Sequence, residues 1–191
     1  MTLKVYMCSH SPRRKALMHD ANIPFTLIEN HLVSEPNINA GESPIDYVVR
    51  LAKTKVQASL DGHQGLILGA DTVVTLNQKI YGKPSTESEA LSFLLELMGQ
   101  AHQVVSAAVV YNTAEHKFHE CVDTSVVHFT HIEQDQIVSY IREYQPLDKA
   151  GAYGIQDEPP FLDRFEGDYN TILGLPMKHL YQLFSSYGIV K

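Results

Sequence analysis

Ser9-His10-Ser11-Pro12-Arg13-Arg14 sets two hydroxyls and two guanidinium groups where a strand signal gives way to a helix signal. Free backbone N–H groups at a helix start carry partial positive charge, so such a junction suits a phosphate. The other reading is a capped helix with a basic first turn, although arginines there oppose the helix dipole. Asp71 lies inside the apolar run Leu66 to Leu76, where an unpaired carboxylate is costly to bury. Either it pairs with a structural cation, or it holds Mg²⁺ or orients a water. Lys149-Ala150-Gly151-Ala152-Tyr153-Gly154-Ile155-Gln156 combines small residues that allow close approach to a ligand with a lysine and an amide. Lys149 can meet a phosphate, and Gln156 can both donate and accept. A flexible connecting loop is the alternative there. Gly82-Lys83-Pro84 taken alone reads as a turn. Cys8 and His10 share a face if the first strand extends that far, which admits a cysteine hydrolase. No third orienting group is evident, and a buried cysteine is the commoner arrangement. The His116/His119 and His128/His131 pairs fall in strand and turn regions, where a spacing of three puts the partners on opposite faces and argues against zinc.

These groups sit in a chain of 191 residues with 15 basic and 22 acidic side chains, a formal charge of −7. Apolar residues make up 44% and charged residues 19%, the profile of a folded domain with one substantial core. An acidic chain repels polyanions, so neither a nucleic acid polymer nor an anionic membrane is an expected partner. A phosphate ligand requires cations gathered locally. Arg13, Arg14, Lys15, Arg50, Lys53, Lys55, Lys83 and Lys149 do fall near expected junctions and loops. Two cysteines cannot make a disulfide framework, no secretory signal is expected and no apolar run approaches ~20 residues. A cytoplasmic location is the expectation.

The elements that must carry the chemistry alternate between strand and helix. Residues 3–7 alternate at period two as a first strand, and Pro12 to Ala21 read as a helix behind Ser11. Phe25 to Ile28 form a second strand. Ser43-Pro44-Ile45-Asp46 opens a helix whose apolar stripe is Ile45, Val48, Ala52 and Val56. Leu66 to Leu76 is a strand. Thr86 to Met98 is a helix with Thr86 and Glu89 as a capping box and Gly99 as its stop. Val104 to Tyr111 and Phe118 to Phe129 are strands joined by a polar turn. Glu133 to Tyr144 is a helix with Ile137, Ile141 and Tyr144 on one side. A glycine-containing loop covers 146–156, Phe161 to Phe165 is a short strand and Pro176 to Tyr187 a last helix. This mixture implies an α/β fold with a mixed sheet.

The segments taken together resemble the Maf family of nucleoside triphosphate pyrophosphatases. The matching pieces begin with Ser9-His-Ser-Pro-Arg-Arg14, Gly41-Glu-Ser-Pro44, Arg50-Leu-Ala-Lys-Thr-Lys55 and Gly69-Ala-Asp-Thr-Val-Val74. They continue with Gly82-Lys-Pro84, the run Asp148 to Gln156, and Gly174-Leu-Pro176. Their order covers nearly the whole chain, residues 148–156 being most similar to the dTTP/UTP subgroup. The resemblance implies a single Maf-like domain over 1–191. It implies an elongated mixed sheet with flanking helices and two lobes around a cleft, similar to inosine-triphosphate pyrophosphatases. It implies hydrolysis between the α and β phosphates, a divalent metal (Mg²⁺ or Mn²⁺) and a homodimer.

By residue, Asp71 matches the family's proton acceptor. Arg13, Thr72 and Gln156 match positions of base selectivity. Ser9, Arg14, Lys55 and Lys83 match cleft positions assigned to phosphate handling, and Lys149 joins them as a substrate-binding candidate. The family's acidic pair after its second strand does not align here. Over Glu29-Asn-His-Leu-Val-Ser-Glu35, Glu35 is the substitute, so the expected metal ligands are Asp71 and Glu35. Asp157 stands where the family has glycine. The altered acidic segment keeps open a second reading, a catalytically weak nucleotide-binding regulator of cell division.

Overall fold

The computed structural model describes residues 3–60 and 62–190. It is built from β1 (Val5–Met7), α1 (Pro12–Asp20), β2 (Thr26–Leu27), α2 (Pro44–Gln57), β3 (Leu66–Leu76), β4 (Lys79–Tyr81) and α3 (Glu87–Leu97). These are followed by β5 (Ala101–Asn112), β6 (Lys117–Phe129), α4 (Gln134–Tyr144), three 3₁₀ turns, β7 (Leu162–Glu166), α5 (Tyr169–Leu173) and α6 (Met177–Ser186). Among the described residues the strands form a seven-stranded sheet of order β2-β1-β3-β5-β6-β7, with β4 paired to β3. β1 pairs in parallel with β2 and β3, while β3–β4 and β6–β7 are antiparallel. The sheet is therefore mixed, as expected. The chain divides into two compact units. The first holds the residues up to Asp71, Ser106–Asp123 and those from Gly174 onward, and the second holds Thr72–Val105 and Thr124–Leu173.

In the first unit α2 is brought hard against β3. A Cβ on Gly69 would lie 2.6 Å from the Ala52 carbonyl oxygen and 2.8 Å from Val56 Cγ2, so only glycine permits this approach. α2 begins with Ser43 Oγ accepting the Asp46 N–H, and Pro44 stands at its first position. Its buried face is Pro44, Val48, Leu51, Ala52, Lys55 and Val56. Ile45, expected in that stripe, is 48% exposed, because it lies about 100° round the helix from Pro44. Lys55 takes a place on the buried face that no apolar pattern could reveal.

The second unit packs α3, α4 and the 146–157 segment over a core of Leu94, Leu97, Val127, Ile137, Tyr140, Ala152, Tyr153 and Phe161. Tyr144, expected on the buried side of α4, is 38% exposed and stacks on Tyr140, which is buried in its stead. The capping box of α3 is half made. Thr86 Oγ accepts from the Glu89 N–H, but the Glu89 carboxylate accepts from Ser85. Ser11 precedes α1 without a side-chain cap bond. Residues 146–157 are not a slack loop. They make three 3₁₀ turns, Gly151 (φ +70°) packs on Val74, and its N–H donates to the Gly82 carbonyl at 3.0 Å.

Candidate active site

β3 carries Asp71 and the last turn of α2 carries Lys55, and the Gly69 approach sets them side by side. Lys55 Nζ donates to Asp71 Oδ2 at 2.8 Å and lies 2.7 Å from Glu35 Oε1. Lys55 and Asp71 are each only 8% exposed. A buried ion pair of this kind is tolerable only because each charge has a partner. Glu35 is half-exposed and reaches the ammonium from the irregular segment between β2 and α2. One cation thus sits between two carboxylates from distant parts of the chain.

Arg14 stands in the first turn of α1 and extends to the same place. Its Nε donates to the Gly174 carbonyl at 2.9 Å, and its Nη1 donates to the Ala70 carbonyl at 2.9 Å and to Ser9 Oγ at 3.2 Å. Its Nη2 is 4.0 Å from Asp71 Oδ1. Burial lowers the Arg14 pKa, and the Asp71 carboxylate opposes that shift. The guanidinium fork therefore ties α1, the end of β1 and β3 together at Asp71. Arg13, beside it in the first turn of α1, is half-buried.

Cys8 is buried and its thiol donates to the Leu68 carbonyl at 3.2 Å, while His10 is exposed. Burial also pushes the Cys8 thiol pKa up, the reverse of what a nucleophile needs. β1 ends at Met7, so the shared strand face on which a Cys8–His10 pair depended is not present.

The remaining candidates lie in the second unit. Thr72 follows Asp71 directly and is half-buried; Lys83 is exposed beside Gly82, the residue that receives the Gly151 N–H. Lys149 Nζ is 3.2 Å from Asp148 Oδ1 and 3.8 Å from Asp157 Oδ2. Asp157 also accepts from the Tyr140 hydroxyl at 3.2 Å, and that hydroxyl accepts the Gly154 N–H at 3.0 Å. Burial is the main cause of the raised Tyr140 pKa, so the hydroxyl keeps its proton. Gln156 is exposed at the end of this braced segment. The sequence pattern thus gathers two sets. Ser9, Arg14, Lys55, Asp71 and Glu35 are linked through Arg14 and Lys55, whereas Lys149 meets Asp157 of the Tyr140–Asp157 network and Gln156 is exposed next to it in sequence.

Arg50 and Glu42, quoted above only within motifs and charge patterns, and Tyr47 also bear on the site. Arg50 holds Glu42 with Nε–Oε1 at 2.6 Å and Nη2–Oε2 at 2.7 Å, and its Nη2 also donates to the Asn37 carbonyl at 2.9 Å. The Tyr47 hydroxyl donates to the Pro36 carbonyl at 3.2 Å. The signal for the Arg50–Glu42 pair was present in opposite charges flanking the α2 N-terminus, but the carbonyl partners have no side-chain signature.

Among the described residues no three His, Cys, Asp or Glu side chains gather in a way that could hold a metal. Two carboxylates, Asp71 and Glu35, do converge on one cationic atom. That donor set fits Mg²⁺ or Mn²⁺, which bind through one or two carboxylates and complete their shell with water and substrate phosphates. No helix among the described residues is long and apolar enough to cross a membrane.

Residues 4–187 match the family profile described as Maf-like protein. A dTTP/UTP pyrophosphatase of Bacillus cereus (strain AH187) is 37% identical over 188 residues, covering 97% of this chain and 96% of the relative. Proteins of the same name from Bacillus thuringiensis subsp. konkukian (strain 97-27) and Bacillus mycoides (strain KBAB4) are 36% and 38% identical over 188 and 180 residues. They cover 97% and 93% of this chain, and 96% and 92% of their own lengths.

Proposed function

The chain belongs to the Maf-like family, and from that premise we propose that it hydrolyses the α–β phosphoric anhydride of dTTP and UTP, releasing the monophosphate and pyrophosphate. The observation that carries this reading is the Glu35–Lys55–Asp71 bridge, with the Arg14 guanidinium beside Asp71. The names and near-complete coverage of the relatives give it its substrate.

Asp71 orients the attacking water at the α-phosphorus and takes its proton. Arg14, whose Nη1 donates to Ser9 Oγ and to the Ala70 carbonyl, stands beside Asp71, so the carboxylate is fixed before substrate arrives. Lys55 turns its ammonium to phosphate oxygens, and Arg13, Lys83 and Lys149 add positive charge against a triphosphate of about four negative charges. Asp71 and Glu35 would hold a divalent cation, which would supply further charge stabilisation of the phosphates. Uracil and thymine present N3–H as donor and O4 as acceptor, which one glutamine amide satisfies together, and Gln156 is assigned that role with Thr72 and Arg13. The family profile runs through both compact units, which supports one functional domain over 1–191. Cys8 and Cys121 are free, in keeping with a reducing cytoplasm, and the homodimer is carried over from the resemblance.

The test is pyrophosphate release from dTTP, UTP, CTP, GTP and 7-methyl-GTP, with Mg²⁺ or Mn²⁺ and with chelator. Preference for dTTP and UTP that is lost on chelation is the expected result. No release from any of them overturns the reading and transfers it to a nucleotide-binding regulator.

A further inference from the structure

Glu35 lies in the irregular stretch between β2 and α2, where Val33 is 99% exposed and Glu35 itself is half-exposed. A carboxylate on such a stretch is poorly placed to serve a cation unless its backbone is held. Its side chain meets Lys55 at 2.7 Å. That contact alone does not fix it, because Lys55 is also bound to Asp71 and must turn to a phosphate when one arrives.

The backbone just beyond Glu35 is held independently of Lys55. The Tyr47 hydroxyl donates to the Pro36 carbonyl, and Arg50 Nη2 donates to the Asn37 carbonyl. Arg50 is itself fixed by the two-pronged grip on Glu42, and its guanidinium carbon lies 5.4 Å over the Tyr47 ring. Glu42 Oε2 also accepts the Asn39 N–H at 2.9 Å, and the Glu42 N–H donates to the Asn39 carbonyl at 3.1 Å. Tyr47, Arg50 and Lys55 all stand on α2, so one helix carries both the strap and the ammonium that Glu35 meets.

We propose that Arg50 and Tyr47 are positioning residues that strap the segment carrying Glu35 to α2 and so set the affinity of the Asp71–Glu35 pair for a divalent cation. The proposal rests on the reading of Asp71 and Glu35 as cation ligands. The hydrogen bonds of Arg50 and Tyr47 go to Glu42, Asn37 and Pro36. Their effect passes through one residue, Glu35, and it must vanish when Glu35 can no longer bind a cation. Partners that orient metal ligands are commonly worth about 10–100-fold in metal affinity.

The test is Mn²⁺ binding to the whole chain without nucleotide, followed by the paramagnetic signal of free Mn²⁺. It is run for the parent, Arg50→Lys, Tyr47→Phe, Glu35→Gln and the Arg50→Lys/Glu35→Gln pair. Arg50→Lys keeps the charge and removes the fork; Tyr47→Phe removes only the hydroxyl. Thermal melts establish that each variant is folded. The expected result is a Kd for Mn²⁺ raised about 10-fold by Arg50→Lys and severalfold by Tyr47→Phe. In the Glu35→Gln background, Arg50→Lys changes nothing further, since the coupling has lost its carrier. Pyrophosphate release then shows a raised Mg²⁺ requirement, with turnover at saturating Mg²⁺ within about twofold of the parent. The proposal is overturned by unchanged Mn²⁺ affinity, by an Arg50→Lys effect that persists in the Glu35→Gln background, or by a parent chain that does not bind Mn²⁺. The binding cycle needs no turnover, so failure of the pyrophosphatase reading and failure of the strap are told apart.

Discussion

Replacing Asp71 by asparagine and Glu35 by glutamine separates the chemistry of the bridge from its contribution to the fold. Each change removes one negative charge and keeps the side-chain shape. Asp71 and its partner Lys55 have side chains only 11% and 10% exposed, whereas Glu35 is 50% exposed. A hydrogen bond between charged groups contributes about 1.5–3 kcal/mol, and a neutral one about 1 kcal/mol. In Asp71→Asn the amide oxygen can still accept from Lys55, so the loss at this buried contact is about 1–2 kcal/mol. In a domain of this size that lowers Tm by roughly 2–8 °C. The Glu35 contact is screened by solvent and lies in the range of about 0–1 kcal/mol, so Tm moves by at most ~4 °C. Activity follows a different pattern. Asp71→Asn loses turnover at least ~100-fold as a general base removed, and Glu35→Gln loses it at least ~10-fold at limiting Mg²⁺. Calorimetric melts and pyrophosphate release on the same preparations read both effects. Near-normal turnover in Asp71→Asn refutes its assignment as the proton acceptor. Equal losses of Tm in the two variants refute the argument from burial.

Three further outcomes are expected. His102 is buried with Nε2 2.9 Å from the Tyr153 hydroxyl, and burial, then the nearby His128, push its pKa down to about 3. The unfolded chain therefore protonates this group near pH 6.5 and the folded chain does not, so its stabilisation is present above about 6.5 and is lost as pH falls toward 3. Between pH 7 and pH 5 the loss is about 2 kcal/mol, and urea unfolding should show it in the parent and not in His102→Gln; identical pH dependence in both contradicts it. Gly69→Ala forces a methyl group onto the Ala52 carbonyl and Val56, and should lower both stability, by about 1–3 kcal/mol, and activity, because it pushes α2 and its Lys55 away from β3. A Gly69→Ala protein with parental Tm and activity counts against that packing argument. Gln156→Ala should narrow the dTTP-to-CTP preference more than it lowers turnover, as measured by kcat/KM for each; an unchanged ratio removes Gln156 from base selection.

The sequence made β3 legible to its ends because a long apolar run with Asn77 behind it has few alternatives. It did not reveal β4, which is only three residues long and directly follows a turn in which both Asn77 and Gln78 take left-handed φ. The first residues of β5 were hidden because Ala101-His102-Gln103 buries only the histidine. α5 is a single short turn region after Gly167 and Asp168 and has no periodicity to read. Within the site, Asp71 was visible as a charge in an apolar strand. Which cation meets it was not, since Lys55 reaches it through the Gly69 approach of α2. Two of the Arg14 acceptors, the carbonyls of Ala70 and Gly174, carry no side-chain signature at all. Lys149, read as a phosphate ligand, lies beside Asp148 and Asp157, a pairing that depends on how the 3₁₀ turns fold the segment back.

The proposed reaction is water attack at the α-phosphorus from the Asp71 site. It is tested most directly by hydrolysing dTTP in ¹⁸O-labelled water with Mg²⁺ and locating the label by mass spectrometry and phosphorus NMR. Labelled thymidine monophosphate together with unlabelled pyrophosphate is expected, and loss of both products in Asp71→Asn. Label in the pyrophosphate, or release of inorganic phosphate and thymidine diphosphate, would contradict it.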